Sequence, residues 1–290
     1  MFWLEQAFPR TSCVWVNDFT DFISRTGGTN GSDVGFGAII VLNGAAVPTP
    51  DILLLNDQLR SFRWVLLVVQ GDEGSGFHLE WLEHPNISIW VIDSKPGKHD
   101  KFNRMPTGAL QLQFKTRPKS IDWFFSGSVR DTNWDKDTRG LRGEGKYYNT
   151  HLGYEEYAEY LASSKIVICR PAWVGPETCR VYDALESNSI PIVGYLPAMA
   201  QCYQCKEHEE HPHPHAWWRD VGFDWPNYWP YVLGEQPPFP VIQSSNGLQD
   251  IVRQTLHEWP ESGNRVHSWW IDYKARFVDR LREDVRRMQS

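Results

Sequence analysis

The first 120 residues alternate short apolar runs with polar or helix-forming stretches. Continuous runs of Val, Ile and Leu are typical of strands that are buried on both faces of a parallel sheet. The pattern predicts helices over residues 51–59 and 76–83, and the glycine-rich residues 27–37 predict a loop. The predicted strands cover residues 12–16, 38–42, 64–70 and 87–92.

The remaining chain repeats this alternation. Helices are predicted over residues 154–163 and 177–187, and strands over residues 121–128, 165–169 and 190–193. The repetition predicts an α/β protein with two similar Rossmann-like parallel-sheet halves. Ligands of such sheets bind at the carboxyl ends of the strands, so we expect the two halves to face a common cleft.

The same pattern predicts three segments. Residues 115–120, which contain a proline, form the natural linker between an N-terminal domain over residues 1–117 and a second domain over residues 118–262. Residues 263–290 contain a helix, predicted over residues 266–288, whose apolar side chains recur every three or four positions. We expect this helix to pack across the two domains. Its apolar positions are Trp270, Tyr273, Phe277, Leu281 and Val285.

The composition is that of an ordinary folded protein, with 41% hydrophobic and 22% charged residues. This balance excludes a disordered chain and a coiled coil. The longest apolar runs, such as residues 65–69, are too short to span a membrane, so no membrane partner is expected. Glu5 interrupts the apolar start and no basic leader precedes it, so no signal peptide is predicted. Five cysteines cannot all pair, which favours a cytoplasmic protein, or one of the host cytoplasm if a phage encodes it.

One basic stretch contrasts with the formal net charge of −7. Residues 95–119 contain seven Lys and Arg residues and a single acidic residue. Such a strip can bind a polyanion, especially beside aromatic rings, and the chain contains 15 tryptophans. A solvated edge that offsets nearby acidic groups is the alternative. The candidate acceptor-binding residues are Lys98, Lys101, Arg104 and Lys115.

Residues 164–194 carry the main candidate site, because they predict a strand, a Gly/Pro loop, a helix and a second strand. Free N–H groups and the helix dipole favour an anion at the start of that helix, and Arg180 in its first turn can reach a phosphate. Asp183 lies on the same helix face, where a carboxylate can bind a ribose diol. A phosphate beside a ribose indicates a nucleotide, and an ordinary loop with a solvated helix is the alternative. The candidates are Gly175, Pro176, Glu177, Thr178, Arg180 and Asp183.

Two motifs lie in this region, Arg-Val-Tyr-Asp-Ala-Leu at residues 180–185 and Ser-Ile-Pro-Ile-Val at residues 189–193. Upstream, residues 124–130 read Phe-Phe-Ser-Gly-Ser-Val-Arg. Together these segments resemble the donor-binding half of GT-B fold glycosyltransferases, most closely the exostosin-like type. The resemblance covers roughly residues 120–260, and Asn188 stands where that family often has glycine.

The resemblance implies a GT-B fold and transfer of a sugar from a nucleotide sugar, a UDP-sugar, to an acceptor hydroxyl. Cations and N–H donors stabilise the leaving diphosphate in such enzymes, so no metal cofactor is expected for catalysis. Arg139 and Arg142 are further candidates for this role. The other residues assigned to the donor are Gly127, Ser128, Arg130 and Arg170.

An inverting reaction also needs a base for the acceptor hydroxyl. In related folds the base follows an early strand of the first half. Asp18 and Asp21 follow the first predicted strand, and Asp72 follows the third. The alternative for each aspartate is a helix cap or a surface position.

A cluster of cysteine and histidine residues comes late in the chain. Cys202 and Cys205 form a Cys-x-x-Cys motif, and His208 and His211 follow it closely. These are ligand types that zinc prefers, so a structural zinc site is one interpretation. A polar loop with incidental thiols is the other.

The basic strip suggests the class of acceptor. The chain looks compatible with small phage-type glycosyltransferases that modify hydroxymethylated pyrimidines in DNA, and such a base would have to be flipped out to react. A glycan or polysaccharide is the alternative acceptor. A non-catalytic carbohydrate- or nucleic-acid-binding protein with the same fold is the alternative of a different class.

Overall fold

The computed structural model describes residues 2–8, 14–15, 37–43, 59–60, 62–70, 79–92, 101–109, 114, 117–127, 132–170, 177–194, 228–242 and 245–290. These residues form two parallel sheets with helices around them. The α-helices are α1 (Phe2–Ala7), α2 (Thr132–Arg139), α3 (Tyr154–Ser163), α4 (Cys179–Glu186), α5 (Tyr228–Leu233), α6 (Leu248–His257) and α7 (Glu261–Gln289).

The first sheet has its five strands in chain order, and every neighbouring pair is parallel. Its strands are β1 (Val14–Trp15), β2 (Ala38–Asn43), β3 (Val65–Gln70), β4 (Ile87–Ile92) and β5 (Phe102–Met105). Leu59 and Trp81 belong to the connections before β3 and β4, and both pack in one cluster with Ile40, Leu67 and Ile89. Right-handed crossovers that advance in one direction place successive connections on one face, which explains this arrangement.

The opposite face of the first sheet is covered by the two ends of the chain. Trp3 of α1 packs on Phe277 of α7 with ring centroids 4.5 Å apart, and Trp90 of β4 packs on the same ring at 5.4 Å. Asp284 of α7 accepts hydrogen bonds from Ser88 Oγ and Trp90 Nε1, both at 2.9 Å. A buried apolar face and a half-buried carboxylate therefore fix α7 to this sheet.

The second sheet is also parallel, but its strand order is β10-β9-β8-β6-β7. Its strands are β6 (Ile121–Ser126), β7 (Gly145–Tyr148), β8 (Ser164–Cys169), β9 (Ile190–Gly194) and β10 (Val241–Ile242). Trp134 of α2 packs in one cluster with Trp123, whereas Val181 of α4 packs with Phe124 on the other face. The helices thus cover both faces, as expected when the strand order reverses direction.

Helix α7 also contacts the second half of the chain. The Nζ of Lys274 and the Nε1 of Trp270 both donate to Glu186 Oε1 of α4, at 2.7 Å. One buried cluster includes Trp90 from the first sheet and Phe124 from the second. The boundaries proposed above at residues 117 and 262 stay a prediction, as does a cleft between two facing domains.

The α/β class with two parallel sheets is confirmed, and the predicted strands at residues 38–42, 64–70 and 87–92 are found within one residue of their bounds. The helix predicted over residues 154–163 is α3, with the same bounds. The described part of the helix predicted over residues 76–83 is a 3-10 helix over Leu79–Glu83. The loop at residues 27–37 and the helix at residues 51–59 lie almost entirely outside the described residues.

Among the elements that the prediction missed are α1, β5, α2, β7 and α5. Helix α2 has the sequence Thr-Asn-Trp-Asp-Lys-Asp-Thr-Arg, in which Trp134 is the only large apolar residue, so no helical stripe was visible. Strand β5 lies inside the basic stretch and lacks an apolar run. Within the described ranges, no helix combines the length and the apolar character needed to cross a membrane.

Candidate functional site

The candidate site lies where the strand order of the second sheet reverses. From β6 the chain goes to β7 on one side and then crosses to β8 on the other side of β6. The register between β6 and β8 aligns Phe124 with Val167, and Gly127 and Arg170 directly follow these two strands. Loops that leave two such strands in opposite directions open a crevice at their carboxyl ends, where ligands of doubly wound sheets bind.

Arg180 reaches this point from the first turn of α4. A β-carbon added at Gly127 would lie 2.5 Å from Arg180 Nη2 and 3.3 Å from its Cζ, so the guanidinium lies directly on the glycine backbone. Gly127 has a φ of +145°, which side-chain-bearing residues rarely adopt. The absence of a side chain at Gly127 therefore allows both this backbone conformation and the position of the guanidinium.

The start of α4 presents two buried polar atoms with unused hydrogen-bonding capacity. Thr178 is the N-cap residue of α4, with extended φ of −141° and ψ of 151°, but its hydroxyl makes no capping bond. In the described part of the chain, neither Thr178 Oγ1 nor Arg180 Nε has a hydrogen-bond partner. Because the first N–H groups of a helix also lack intrahelical acceptors, this corner offers several donors to one anion.

Asp183 does not contribute an exposed carboxylate to this corner. It is fully buried, and Tyr157 Oη of α3 donates a hydrogen bond to its Oδ2 at 3.3 Å. Burial raises the pKa of Tyr157, the carboxylate of Asp183 raises it further, and Arg180 lowers it. In this arrangement the carboxylate has no exposed surface, and its assignment to a ribose diol stays a prediction.

The side chain of Glu177 is also buried, and groups of the protein bond to its carboxylate. Its side chain is 2% exposed, and it accepts hydrogen bonds from Arg104 Nη2 at 3.2 Å and Thr107 N at 2.6 Å. Tyr228 Oη donates at 2.8 Å, and Tyr182 Oη donates as well. Four donors of the protein therefore bond to its carboxylate in this arrangement, and its assignment to the sugar donor stays a prediction.

Two of the four candidate acceptor residues, Arg104 and Lys101, are described, and both bond to other groups of the protein. Arg104 is 8% exposed and pairs with Glu177, and its assignment to acceptor binding stays a prediction. Burial opposes its charge, but Tyr228 and Glu177 raise the pKa of Arg104, so the guanidinium stays charged. Lys101 Nζ donates to the carbonyl oxygens of Leu82 and His84, both at 2.8 Å. These contacts hold the backbone and leave acceptor binding by the strip as a prediction.

The two further arginine candidates, Arg139 and Arg142, make contacts elsewhere in the second half of the chain. Arg139 Nε bonds Asp135 Oδ1 at 2.9 Å across one turn of α2. Arg142 lines an open cavity of about 980 Å³ together with Lys136 and Arg253, and the lining residues include none of those at the Gly127 corner. Their assignment to the diphosphate stays a prediction.

Several candidates lie outside the described residues, and their assigned roles stay predictions. These are the possible bases Asp18, Asp21 and Asp72, the donor candidates Ser128, Arg130, Gly175 and Pro176, the acceptor candidates Lys98 and Lys115, and the possible zinc ligands Cys202, Cys205, His208 and His211. Among the residues that are described, no three or more His, Cys, Asp or Glu side chains come together in a way that could bind a metal ion.

Sequence reasoning missed the tyrosines that organise this region. The sequence pattern predicted the helix that contains Tyr157 but no role for its hydroxyl, and Tyr228 was not considered. Both hydroxyls contact carboxylates that are distant in the chain, Asp183 and Glu177. A helical spacing of aromatic residues indicates burial, but it does not indicate which carboxylate a buried hydroxyl meets.

Comparison with known proteins gives a likeness to a solved structure. No family model matches the chain, and no curated protein is significantly similar to it. A crystal structure of the DNA-modifying enzyme beta-glucosyltransferase, in the presence and absence of the substrate uridine diphosphoglucose, aligns with 12% identity over 92% of both chains and a TM-score of 0.42. At this identity and TM-score the likeness assigns no function to the chain.

Proposed function

We propose that this protein is a glycosyltransferase of the GT-B type that binds a UDP-sugar at the end of β6 and the start of α4. The observation that carries the proposal is the guanidinium of Arg180 resting on Gly127, where the strand order reverses. A cation, a helix start and a glycine that permits close approach are the components that a diphosphate requires. Thr178 Oγ1 supplies a further donor beside them.

The proposed reaction moves a glycosyl group. The acceptor oxygen forms a bond to the anomeric carbon while the bond from that carbon to the β-phosphate oxygen breaks, and UDP leaves with the electron pair. Arg180 and the first N–H groups of α4 stabilise the negative charge that grows on the leaving phosphate. In this proposal they take the role that a divalent metal has in other transferases, so no metal is required.

The acceptor hydroxyl loses its proton to a carboxylate if the configuration inverts. Asp18, Asp21 and Asp72 are the proposed candidates for this base. Of the possible acceptors, we favour a hydroxymethylated pyrimidine in DNA, because the basic stretch over residues 95–119 is the largest concentration of positive charge in an acidic chain. A glycan acceptor and a binding protein without turnover are the competing functions.

The direct test is the release of UDP from UDP-glucose. The protein is incubated with UDP-glucose alone, with hydroxymethylated duplex DNA, and with the same DNA lacking the hydroxymethyl group. The proposal expects slow release without acceptor and a large increase with the hydroxymethylated DNA only. Binding of UDP without release under any condition would favour the non-catalytic function, and release stimulated by a polysaccharide alone would identify the other acceptor class.

The basic stretch is tested separately. Lys98→Glu combined with Lys115→Glu should weaken binding of the DNA and make it less dependent on salt, because fewer counterions are released. Lys101 stays unchanged in this variant, since it bonds the backbone of Leu82 and His84. Hydrolysis of UDP-glucose should be unaffected. Unchanged DNA affinity would show that the stretch is solvated surface.

A further inference from the structure

A buried ionic pair joins the first sheet to the residue that precedes the candidate site. Arg104 lies in β5 and Glu177 lies just before α4, and their side chains are 6% and 2% exposed. Tyr228 bridges the pair, because its hydroxyl accepts from Arg104 Nη2 and donates to Glu177 Oε2. The N–H of Thr107, just after β5, adds a second bond from the same segment at 2.6 Å.

Burying this ion pair is unfavourable because both charges lose their hydration, and removing one partner strongly destabilises the fold. Removing charges from water carries a penalty of several kcal/mol for each ion, and the loss of one partner leaves the other uncompensated. Burial of two apolar side chains at these positions would provide comparable stability without that risk. Stability alone therefore does not account for an arginine and a glutamate at these positions.

The place of Glu177 in the chain indicates what the pair does. It immediately precedes the N-cap Thr178 and lies three residues before Arg180. Tyr182, in the second turn of α4, also donates a hydrogen bond to the Glu177 carboxylate. The carboxylate is therefore bonded to the helix as well as to β5. The first turn of α4 is thereby fixed to β5 of the other sheet.

The electrostatics fit the same role. A carboxylate near a helix N-terminus would compete with and repel an anionic ligand, because both are attracted to the same end of the dipole. Arg104 neutralises Glu177, and four hydrogen bonds hold its oxygens away from the corner formed by Gly127 and Arg180. The helix start therefore remains available to a ligand anion although a glutamate is next to it.

We infer that Arg104 and Glu177 are positioning residues, which set the first turn of α4 so that Thr178 and Arg180 converge on a diphosphate. The inference rests on the proposed function for the identity of the ligand. Neither side chain contacts the donor in this arrangement. The first sheet thus contributes to donor binding without providing a donor ligand.

The test compares Arg104→Met with Lys274→Met. Lys274 makes an ion pair with Glu186 at the opposite end of the same helix, at 2.7 Å, so the control removes a fixing contact of α4 far from Arg180. Arg104→Met should weaken UDP binding, measured by calorimetry, by at least about tenfold. Lys274→Met should leave UDP affinity unchanged. Equal UDP affinity in wild type and Arg104→Met would overturn the inference.

A double variant separates positioning from stability. Arg104→Met combined with Glu177→Met removes both charges, so its thermal stability should recover relative to Arg104→Met. Its UDP affinity should stay low, because the bonds from Thr107 and Tyr182 to Glu177 are also gone. Recovery of both quantities together would show that the pair merely avoids a lone buried charge. If Arg104→Met does not fold, Arg104→Lys replaces it, with a smaller expected loss of UDP affinity.

Hydrogen exchange distinguishes this inference from the proposed function. In the free protein, amides of residues 178–184 should exchange faster in Arg104→Met than in Lys274→Met, whatever the ligand of the site. If wild type fails to bind UDP but this difference is present, the proposed ligand is wrong and the positioning role stands. If wild type binds UDP and the two variants show equal exchange, the positioning role is wrong and the proposed function stands.

Discussion

The two sheets have the same number of described strands and the same parallel pairing, but they differ in strand order. In the first sheet the strands follow the chain, and the described connections at Leu59 and Trp81 pack on one face. In the second sheet the order reverses between β6 and β8, and helices cover both faces. Helices α1 and α7, at the two ends of the described chain, cover the other face of the first sheet.

This difference explains where the candidate site lies. A sheet whose connections all turn the same way has no crevice between adjacent strand ends, whereas a reversal separates two neighbouring loops. Gly127 and Arg170 follow the two strands that flank the reversal, and Arg180 reaches the same place. The first sheet provides the Arg104–Glu177 contact that holds α4. We therefore expect variants of the second sheet to change ligand binding, and most variants of the first to change stability alone.

The largest expected effect is that of Arg180→Ala. Loss of one preorganised donor to a developing anion typically reduces turnover by about 10²–10³-fold, and we expect this reduction in UDP-glucose hydrolysis. Arg180→Lys should retain part of the activity because it keeps the charge. The matched control is Arg253→Ala, which removes an exposed arginine that pairs with Asp250. Wild-type kinetics in Arg180→Ala would show that the donor does not bind at this end of the second sheet.

A smaller effect is expected for Gly127→Ala. The β-carbon of the alanine would displace the Arg180 guanidinium. An alanine held at the φ of +145° also destabilises the fold by about 1–3 kcal/mol. UDP affinity should fall about tenfold. Gly153→Ala is the control, since Gly153 has a φ of −59° and a β-carbon there meets nothing within 4 Å. The control should keep full UDP affinity, measured by calorimetry. Equal affinities in both variants would show that Gly127 does not position Arg180.

Asp284→Ala tests the first sheet. The substitution leaves Ser88 Oγ and Trp90 Nε1 without their acceptor. Each buried donor that loses its acceptor lowers the free energy of unfolding by about 1–3 kcal/mol. Urea unfolding should therefore show a clear loss of stability, while UDP affinity stays at the wild-type value. Asp279→Ala, on an exposed position of the same helix, should change neither quantity. A fall in UDP affinity for Asp284→Ala would contradict the separation between the two sheets.

The smallest effect concerns Lys119, between the two sheets. Its Nζ donates to Ser187 O at 2.7 Å, Ser189 Oγ at 2.9 Å and Leu161 O at 3.4 Å. Burial lowers the pKa of Lys119 to about 7, below its unfolded value. Above pH 7 the unfolded chain therefore binds more protons than the folded one, so the free energy of unfolding should rise with pH, by at most about 1.4 kcal/mol per pH unit.

The measurement is urea unfolding of wild type and Lys119→Met at pH 7, 8 and 9. The rise should be weaker in Lys119→Met and unchanged in Lys146→Met, which removes an exposed lysine of β7. Parallel curves for wild type and Lys119→Met would show that the ammonium stays charged and is held by its three oxygen acceptors.

Strands and helices with a regular apolar pattern were predictable. Strands β2, β3 and β4 are runs of Val, Ile and Leu that are buried on both faces, and α3 has aromatic residues on one side. Such elements are determined by local composition and periodicity. Helix α2 and strand β5 lack that signal, because one is polar apart from Trp134 and the other lies in a basic stretch. Their structure depends on contacts with the rest of the fold.

The candidate site was predictable only in part. The glycine after β6 and the arginine after the start of α4 were both singled out from the sequence, but the contact between them was not. Asp183 and Glu177 were expected at the ligand because they lie near Arg180 in the chain, and the structure buries both carboxylates. Spacing along a helix indicates which residues share a face. It does not indicate whether that face meets solvent, a ligand or a tyrosine.

The sequence by itself determined the α/β class and the parallel strands, and it placed the candidate site within residues 120–190. Those properties follow from short-range patterns, in which neighbouring residues fix one another's conformation. Only the tertiary structure decided the order β10-β9-β8-β6-β7 and the pairing of Arg104 with Glu177, which are 73 residues apart. Both depend on which buried surfaces and charges satisfy one another across the folded chain, and no local pattern encodes that choice.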